Sequence, residues 1–265
     1  MKLYKRNLMK ILITNDDSFE AKGLEVLVNA VKDLGEVYVA APAFPKSACS
    51  HSLTITKPLR FIKVADNFYK LDDGTPTDCV YLSFPEFFGG EKPDIVLSGI
   101  NHGANLGEDV TYSGTAGGAM EGALHGIPSI AFSQLIKSYD NPPSEIDWDQ
   151  AAKAARKITK AVLDGKIKIP HRHILNVNIP NTKKIKGFKF TKLGYRLYGN
   201  DAHKHKNPRG EEYYWIGLHP LAFKEEKGTD FDAIKNGYVS ITPIKLDMTG
   251  YEALNELKNT DLGDL

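Results

Sequence analysis

The sequence predicts an α/β protein in which helices cover a mostly parallel sheet, with a β-rich C-terminal extension. Two observations carry this prediction. Up to residue 169, short apolar runs alternate with segments of helical periodicity, which is typical of strand–helix–strand units. Beyond residue 169, strand-like runs follow one another with little helix between them. We therefore expect a leader at 1–8, a core at 9–169 and a C-terminal section at 170–265.

The first unit of the core is a strand, a helix and a second strand. Residues 10–14 (KILIT) are apolar and rich in β-branched side chains, and a polar segment, 15–17, follows them. A helix between Gly23 and Gly35 is predicted by five apolar residues at helical spacing: Leu24, Leu27, Val28, Val31 and Leu34. Residues 36–41 form the second strand. Such a unit predicts parallel neighbours joined by a right-handed crossover.

The middle of the chain contains an excursion and then further core elements. Residues 53–55 and 61–71 predict short strands of a small excursion, which a turn at 72–74 closes. A helix then starts at 75–78, and residues 94–98 form another buried strand. A glycine-rich loop runs from this strand to Tyr112. The next helix has Ser113 as its N-cap and Gly126 as its stop.

One more strand, a long helix and the C-terminal strands complete the chain. Residues 129–133 predict a strand, and an amphipathic pattern from Asp147 to Gly165 predicts a helix. Four later runs are typical of strands: 173–179, 188–193, 213–218 and 238–242. We expect the C-terminal section to extend the sheet or to pair with another subunit.

Charge and composition argue against several classes of function. The net charge is +1, so no strong overall field draws the chain onto a nucleic acid polymer or an anionic membrane. No stretch approaches the ~20 apolar residues that span a bilayer. Two cysteines, Cys49 and Cys79, are too few for a secreted disulfide scaffold, which favours a cytoplasmic protein. The basic 1–8 segment lacks the apolar core of a signal peptide, so we expect a disordered leader or a start-site artefact.

Polar clusters follow three of the predicted strands at their carboxyl ends. The clusters lie at 15–17, 46–50 and 99–105. In an open parallel sheet, ligands bind beyond the carboxyl ends of the strands. We therefore expect the three clusters to converge on one site.

The adjacent carboxylates Asp16 and Asp17 indicate a cation site. Two carboxylates that stay ionised at one strand end repel each other unless a cation lies nearby. A hard divalent ion prefers carboxylate, amide and hydroxyl oxygens, and Asn101 and a serine such as Ser47 supply the latter two. The alternative is that the pair only caps the following helix or forms a turn.

The glycines between residues 99 and 118 indicate an anion site. Glycine lets the backbone approach a ligand, and free N–H groups at a helix N-terminus bind phosphate. The segment Ser113-Gly114-Thr115 is the phosphate seat that this pattern favours. The alternative is that the glycines only permit close packing of the helix on the sheet.

Two other chemistries are disfavoured. His203 and His205 have a spacing that suits a metal, but the basic residues around them favour a solvated loop. Phosphatases of the haloacid-dehalogenase type use an acid–base aspartate two residues after the nucleophilic aspartate. Here those positions hold Ser18 and Phe19.

The motifs of this chain resemble those of the SurE family of stationary-phase survival proteins, which are metal-dependent nucleotide phosphatases. They are KILITNDD (10–17), APAFPKSACSHSLT (41–54), DDGTPTDCVYL (72–82), SGINHGANLGEDVTYSGTAGGAMEG (98–122), NPRGEEYYW (207–215) and GYVSITPIKLDMT (237–249). They cover nearly the whole chain from Met9, and the motif from Ser98 is highly specific.

The resemblance implies a Rossmann-like three-layer core and one divalent metal ion, Mg²⁺ or Mn²⁺, per subunit. The implied metal ligands are Asp16, Asp17, Ser47 and Asn101. The implied substrate contacts are Asn15, Ser50, Asn105, Ser113, Gly114 and Thr115. The implied reaction is hydrolysis of nucleoside 5′- and 3′-monophosphates by a metal-activated water, with polyphosphate as a further substrate. Homodimers or homotetramers with an exchanged C-terminal arm are also implied.

Two positions depart from the family pattern. Ser18 stands where a glycine usually follows the aspartate pair, and a positive φ there would cost a serine more than a glycine. Lys22 stands in place of a proline, and its charge is expected near the pocket mouth. Both bear on loop geometry and substrate preference rather than on the reaction. A rival function is a nucleotide or metal sensor without turnover, which the same core permits.

Overall fold

The computed structural model describes residues 8–136, 146–199, 202–217 and 222–261. Its strands are β1 (Lys10–Thr14), β2 (Glu36–Pro42), β3 (Arg60–Ala65), β4 (Phe68–Asp72), β5 (Ile95–His102), β6 (Ser129–Gln134), β7 (His173–Ile179), β8 (Phe188–Phe190), β9 (Arg196–Leu197), β10 (Ala202–Lys206), β11 (Glu212–Ile216), β12 (Ala222–Phe223) and β13 (Val239–Lys245). Its helices are α1 (Lys22–Val31), α2 (Pro76–Phe88), α3 (Gly114–Leu124), α4 (Trp148–Leu163), α5 (Asp230–Lys235) and α6 (Tyr251–Leu257), with a 3₁₀ turn at Gly107–Thr111. Apart from Leu8, the expected leader lies outside the described residues.

In the part of the chain that the structure describes, nine strands form one mixed sheet in the order β3-β4-β2-β1-β5-β6-β7-β13-β8. The strands from β4 to β7 run parallel to their neighbours, whereas β3 and β13 run antiparallel to β4 and β7. The last three strands in the order, β7, β13 and β8, come from the C-terminal section and continue the same sheet. The predicted α/β fold with a mostly parallel sheet and added C-terminal strands is confirmed.

Helices cover both faces of this sheet. Successive side chains of a strand point to opposite faces. Ile11 and Ile13 of β1 therefore pack in the core cluster that contains Leu27 of α1 and residues of α4. Leu12 packs on the other face, with Val80 of α2. The result is three layers, and in the described ranges no helix is long and apolar enough to cross a membrane.

The topology creates a crevice beyond β1. The chain passes from β1 to β2 on one side, and it later returns as β5 on the other side. Thr14 at the end of β1 lies beside Ser98 of β5. In open α/β sheets, such a switch point places a ligand crevice beyond the carboxyl ends of the two strands.

Helix starts follow the capping chemistry that the sequence predicts. The Ser113 side chain accepts a hydrogen bond from the Ala116 N–H at 3.0 Å, and Asp147 accepts one from Gln150 at 3.3 Å. Thr75 forms a reciprocal capping box with Asp78 at the start of α2. The predicted N-termini of α3 and α4 are therefore confirmed.

The excursion between β2 and α2 differs from the prediction. Residues 53–55 are not a strand, because Thr54 donates from its N–H and its hydroxyl to the Asp78 carboxylate at 2.8 and 2.6 Å. Side-chain contacts to the start of α2, rather than a strand partner, fix this segment. The run at 61–71 forms β3 and β4, and these join the edge of the main sheet because β4 pairs with β2.

Two more expectations are corrected. The strand predicted at 94–98 continues through the glycine-rich segment to His102, because Asn101 and His102 pair with residues of β6. The segment of His203 and His205 is a strand, β10, which forms an exposed antiparallel hairpin with β11 rather than a loop. The short helices α5 and α6 were not predicted, and residue 218 of one predicted strand lies outside the described residues.

Candidate functional site

Asp16 lies beyond the end of β1, and its side chain is hydrogen-bonded to the first turn of α3. The carboxylate accepts hydrogen bonds from the Thr115 hydroxyl at 2.5 Å and from the Thr115 N–H at 3.1 Å. Burial first, and then the charge of Asp17, raise the pKa of Asp16 from its ordinary 3.8 to about 7, although the Thr115 bonds act in the opposite direction. An ionised Asp16 is therefore costly in this crevice without a positive charge.

Asp17 faces the end of β5. Its Oδ2 accepts a hydrogen bond from the His102 N–H at 2.9 Å. Burial raises the pKa of Asp17 above its ordinary value, and the His102 N–H opposes this shift. Through these hydrogen bonds, the two carboxylates connect the carboxyl ends of β1 and β5 with the N-terminus of α3. We call this meeting point the centre of the candidate site.

The loop after β2 carries the two predicted serines and contacts this centre through its backbone. The Lys46 N–H donates to the Asp16 carbonyl at 2.7 Å, so the exposed Ser47 follows a backbone contact to the aspartate pair. The Ser50 N–H donates to the Tyr112 carbonyl at 3.0 Å, which holds Ser50 beside the start of α3.

The glycines of α3 permit this close assembly. A Cβ at Gly114 would lie 2.6 Å from the Cys49 sulfur and 2.9 Å from Asp16 Cβ. A Cβ at Gly117 would lie 2.5 Å from the Ser50 carbonyl oxygen. The tight packing that the sequence left as an alternative to a phosphate seat is therefore present.

Some of the N–H groups at the start of α3 already donate hydrogen bonds within the protein. The Thr115 N–H donates to Asp16, and the Ala116 N–H donates to the Ser113 side chain. Gly114, at the first helical position, has no carbonyl of its own helix to donate to. The buried Gly114 N–H is therefore the donor at the start of α3 that those contacts do not use.

The two predicted asparagines after β5 differ in their surroundings. Asn101 is half-buried, lies beside Ser133 of β6, and donates from its side-chain amide to the Gly103 carbonyl at 2.9 Å. Asn105 is buried, and its amide donates to the Ser133 hydroxyl at 2.9 Å. Both therefore lie near the β6 end, and the Oδ1 of Asn101 is not used in the Gly103 contact.

Asn15 carries an unsatisfied acceptor. Its amide donates to the Ser18 carbonyl at 2.8 Å, which closes the turn around the aspartate pair. Its Oδ1 is buried and accepts no hydrogen bond from the described residues. A buried acceptor of this kind is available to a ligand, an ion or a water molecule.

Ser18 adopts the backbone conformation that its position suggested. Its φ is +90°, in the region that favours glycine. Lys22, in contrast, forms an ion pair with Glu25 on α1 at 2.9 Å. Its expected charge at the pocket mouth is thus partly neutralised.

Replacing Ser18 with glycine is expected to stabilise the fold by about 1 kcal/mol, because glycine adopts a positive φ without the Cβ cost. Thermal unfolding measures the change. The control is Glu20→Gln, an exposed change in the same turn, which should leave the melting temperature unaltered. A lower melting temperature for the glycine variant would contradict the strain assigned to Ser18.

The predicted metal ligands do not form a conventional metal cluster. Among the residues that the structure describes, no group of three or more His, Cys, Asp or Glu side chains could hold a metal ion. The predicted set contains two carboxylates, and its other donors are the neutral oxygens of Ser47 and Asn101. His205, on the exposed hairpin, stacks on Tyr213.

Sequence reasoning missed two contacts of the centre. The His102 N–H is a main-chain donor, so its residue type carries no signal. The bond from Thr115 to Asp16 joins residues 99 positions apart. Only the expected convergence of the strand ends with the start of α3 could have suggested it.

This chain resembles known proteins of one family over most of its length. The family model described as Survival protein SurE matches residues 11–200. A 5′-nucleotidase SurE from a Nitratiruptor species is 54% identical over 256 residues, and the match covers 95% of this chain and 99% of the relative. A 5′-nucleotidase SurE from Helicobacter hepaticus is 51% identical, with 94% and 98% covered.

A solved structure shares the fold. The crystal structure of the SurE protein from Aquifex aeolicus has a TM-score of 0.80 at 44% sequence identity, and the match covers 94% of this chain and 98% of that chain. With the family match and the curated relatives at about half identity, this likeness leads to one conclusion: the chain belongs to the SurE survival-protein family.

Proposed function

We propose that this protein is a divalent-metal-dependent 5′-nucleotidase that hydrolyses nucleoside 5′-monophosphates. The observation that carries the proposal is the joining of Asp16, Asp17 and the start of α3 at the switch point of the sheet. The relatives described above are 5′-nucleotidases of this family, which supports the same reaction. We extend the proposal to nucleoside 3′-monophosphates and to short polyphosphate as further substrates.

We assign one Mg²⁺ or Mn²⁺ ion to Asp16, Asp17, Ser47 and Asn101. These residues fit a hard divalent ion because they offer carboxylate, hydroxyl and amide oxygens. The raised pKa values of the two carboxyls support a cation, since a positive charge nearby would stabilise both ionised forms. The unsatisfied Oδ1 of Asn15 supports a polar occupant of the crevice.

The protein's own groups would hold the substrate phosphate. We assign its contacts to Ser113, Gly114 and Thr115, with Asn15, Ser50 and Asn105 around them. A bound cation would polarise the phosphate and lower the pKa of a water molecule. The N–H groups of the glycine-rich segment and Asn105 would hold the negative charge that develops during hydrolysis. Asp16 or Asp17 would orient the attacking water or accept its proton.

A substrate panel tests this function directly. We expect phosphate release from AMP and other nucleoside monophosphates with Mg²⁺ or Mn²⁺, and loss of release after addition of a chelator. Binding of nucleotide without any phosphate release would instead identify the sensor without turnover. Comparison of 5′- and 3′-monophosphates with short polyphosphates assigns the substrate preference.

Ser47 and Ser50 should differ in a way that tests their assignments. Ser47→Ala removes a proposed metal ligand, so it should raise the metal concentration for half-maximal activity about tenfold. Ser50→Ala removes a proposed substrate contact, so it should change KM or kcat even at saturating metal. Metal titrations of both variants measure this difference. The reverse pattern would exchange the two roles.

We further propose that the 9–169 section binds metal and phosphate, and that the 170–265 section extends the sheet and mediates a homodimer or homotetramer. The β10–β11 hairpin supports the second part, because Tyr214, Trp215 and Ile216 are exposed there. We also propose a cytoplasmic location, where the free thiols of Cys49 and Cys79 stay reduced.

The mass in solution tests the assembly. Light scattering at micromolar protein should give at least twice the chain mass of 29.3 kDa. The double variant Trp215→Ser, Ile216→Ser removes apolar surface from the hairpin and should lower that mass. A monomeric wild-type protein would refute the proposed assembly.

A further inference from the structure

Two exposed tyrosines lie beside the start of α3. Tyr112 directly precedes the cap residue Ser113, and 58% of its surface is exposed. Tyr198 is 47% exposed. Their ring centroids are 6.2 Å apart and the ring planes meet at 84°, so the pair forms an aromatic corner. This corner opens next to the segment to which we assign the phosphate.

Hydrogen bonds hold the backbone of Tyr112 in place. Its N–H donates to the Asp109 carbonyl at 3.1 Å, and its carbonyl accepts from the Ser50 N–H at 3.0 Å. The backbone of Tyr112 is therefore fixed between the 3₁₀ turn and the serine loop. The ring projects from this fixed backbone and meets the Tyr198 ring edge-on.

Tyr198 is held through the same aspartate. Its hydroxyl donates to Asp109 Oδ1 at 2.9 Å, and Arg196 pairs with the Asp109 carboxylate. The Arg196 guanidinium is itself covered by the Phe231 ring, 4.6 Å from its centroid. Burial first, and then the hydrogen bond to Asp109, raise the pKa of Tyr198 above its ordinary value, so the hydroxyl stays neutral.

Exposed aromatic faces on an anchored backbone, next to the proposed phosphate seat, suit a nucleobase. Bases stack on aromatic side chains, and each ring held in advance lowers the ordering cost of binding. A flat base can lie against one ring of the corner and meet the other ring with its edge. The sequence distance supports this, because Tyr112 is adjacent to the proposed phosphate seat.

We propose that Tyr112 and Tyr198 form the nucleobase subsite of this enzyme. The proposal rests on the proposed nucleotidase function, and it deepens that function by assigning the part of the substrate beyond the phosphate and sugar. Recognition by stacking does not read base edges, so the subsite accepts purines and pyrimidines and favours the larger purine surface.

The test compares AMP with ribose 5-phosphate, which carries the same phosphate and sugar without a base. In Tyr112→Leu and in Tyr198→Leu, the ratio of kcat/KM for AMP to that for ribose 5-phosphate should fall about tenfold, mainly through KM for AMP. The conservative variant Tyr112→Phe keeps the ring and its backbone contacts, and it should retain the wild-type ratio within about twofold. Tyr81→Leu, at an exposed tyrosine on α2, is the matched control and should leave the ratio unchanged.

A second measurement separates this proposal from the nucleotidase function. Adenosine binding, followed by saturation-transfer NMR, needs no turnover and should be lost in the leucine variants. If the wild type binds adenosine at these tyrosines but releases no phosphate from AMP, the nucleotidase function fails and the base subsite stands. An unchanged substrate ratio in both leucine variants, with AMP hydrolysis intact, overturns the subsite. The subsite is also overturned if the leucine variants keep the wild-type substrate ratio but change the mass measured by light scattering. That result would assign the two tyrosines to a subunit contact.

Discussion

Replacing Asp16 with asparagine is expected to lower phosphate release by about 10³-fold or more at saturating Mn²⁺, because a central metal contact loses its charge. The fold should persist, since asparagine has the same shape and its Oδ1 can still accept from the Thr115 N–H. Calorimetric titration with Mn²⁺ should show weaker binding, and circular dichroism should be unchanged. Asp66→Asn, at a fully exposed carboxylate paired with Lys63, is the matched control.

The same variant should be more stable than the wild type when a chelator removes metal ions. The pKa of Asp16 is about 7 in the fold against an ordinary 3.8, so the folded protein binds a proton that the unfolded chain has lost between these values. The contribution of Asp16 to stability therefore falls as pH rises from 3.8 to about 7 and is then constant.

Asparagine lacks this titration. The melting temperature of Asp16→Asn minus that of the wild type should therefore increase from about pH 5 to about pH 8 in chelator. Calorimetric unfolding at the two pH values measures the difference. Unchanged Mn²⁺ affinity in the variant would remove Asp16 from the ligand set, and a pH-independent difference would contradict its raised pKa.

Replacing Gly23 with alanine is expected to destabilise the fold by about 3 kcal/mol or more, because the new methyl group has no space. A Cβ at Gly23 would lie 1.8 Å from the Ile100 carbonyl oxygen and 3.3 Å from the Trp148 ring. Either α1 or β5 must shift, since the closest atom belongs to the backbone. Asn101 follows Ile100, so we also expect weaker metal binding.

Thermal unfolding measures this effect, with an expected fall in the melting temperature of about 10 °C for a chain of this size. Gly250→Ala is the matched control. Its φ is −76°, and a Cβ there would meet the Ala253 Cβ at an ordinary 3.7 Å. The control should stay within about 2 °C of the wild type. Equal melting temperatures for Gly23→Ala and the wild type would show that α1 and β5 do not pack this closely.

Local chemistry explains which parts of the fold were predictable. The runs that became β1 and β7 match the structure because their apolar side chains face the core. The start of α3 was predictable because Ser113 offers a capping oxygen before a helical pattern. These elements depend on short-range signals that a single sequence contains.

Other parts depend on partners that are distant in the sequence. β5 continues past Gly99 because β6 offers hydrogen-bonding partners there. The strand of His203 and His205 carries no core-facing pattern, since all its residues are exposed and only the pairing with β11 defines it. The convergence of the polar clusters on one site was predictable from the sequence. The individual hydrogen bonds of the site were not. The hydrogen bonds from Thr115 to Asp16, for example, can be recognised only in the three-dimensional structure.

The position of β13 has a consequence for the order in which the protein folds. β13 is the last strand in the described part of the chain, yet it lies between β7 and β8 and pairs with both. During synthesis from the N-terminus, one edge of β7 therefore stays unpaired until residues 239–245 have left the ribosome. Until then an unpaired strand edge is open to other chains. Closure of the sheet is a late, long-range step, which favours slow folding and makes nascent chains that stop before residue 239 prone to association.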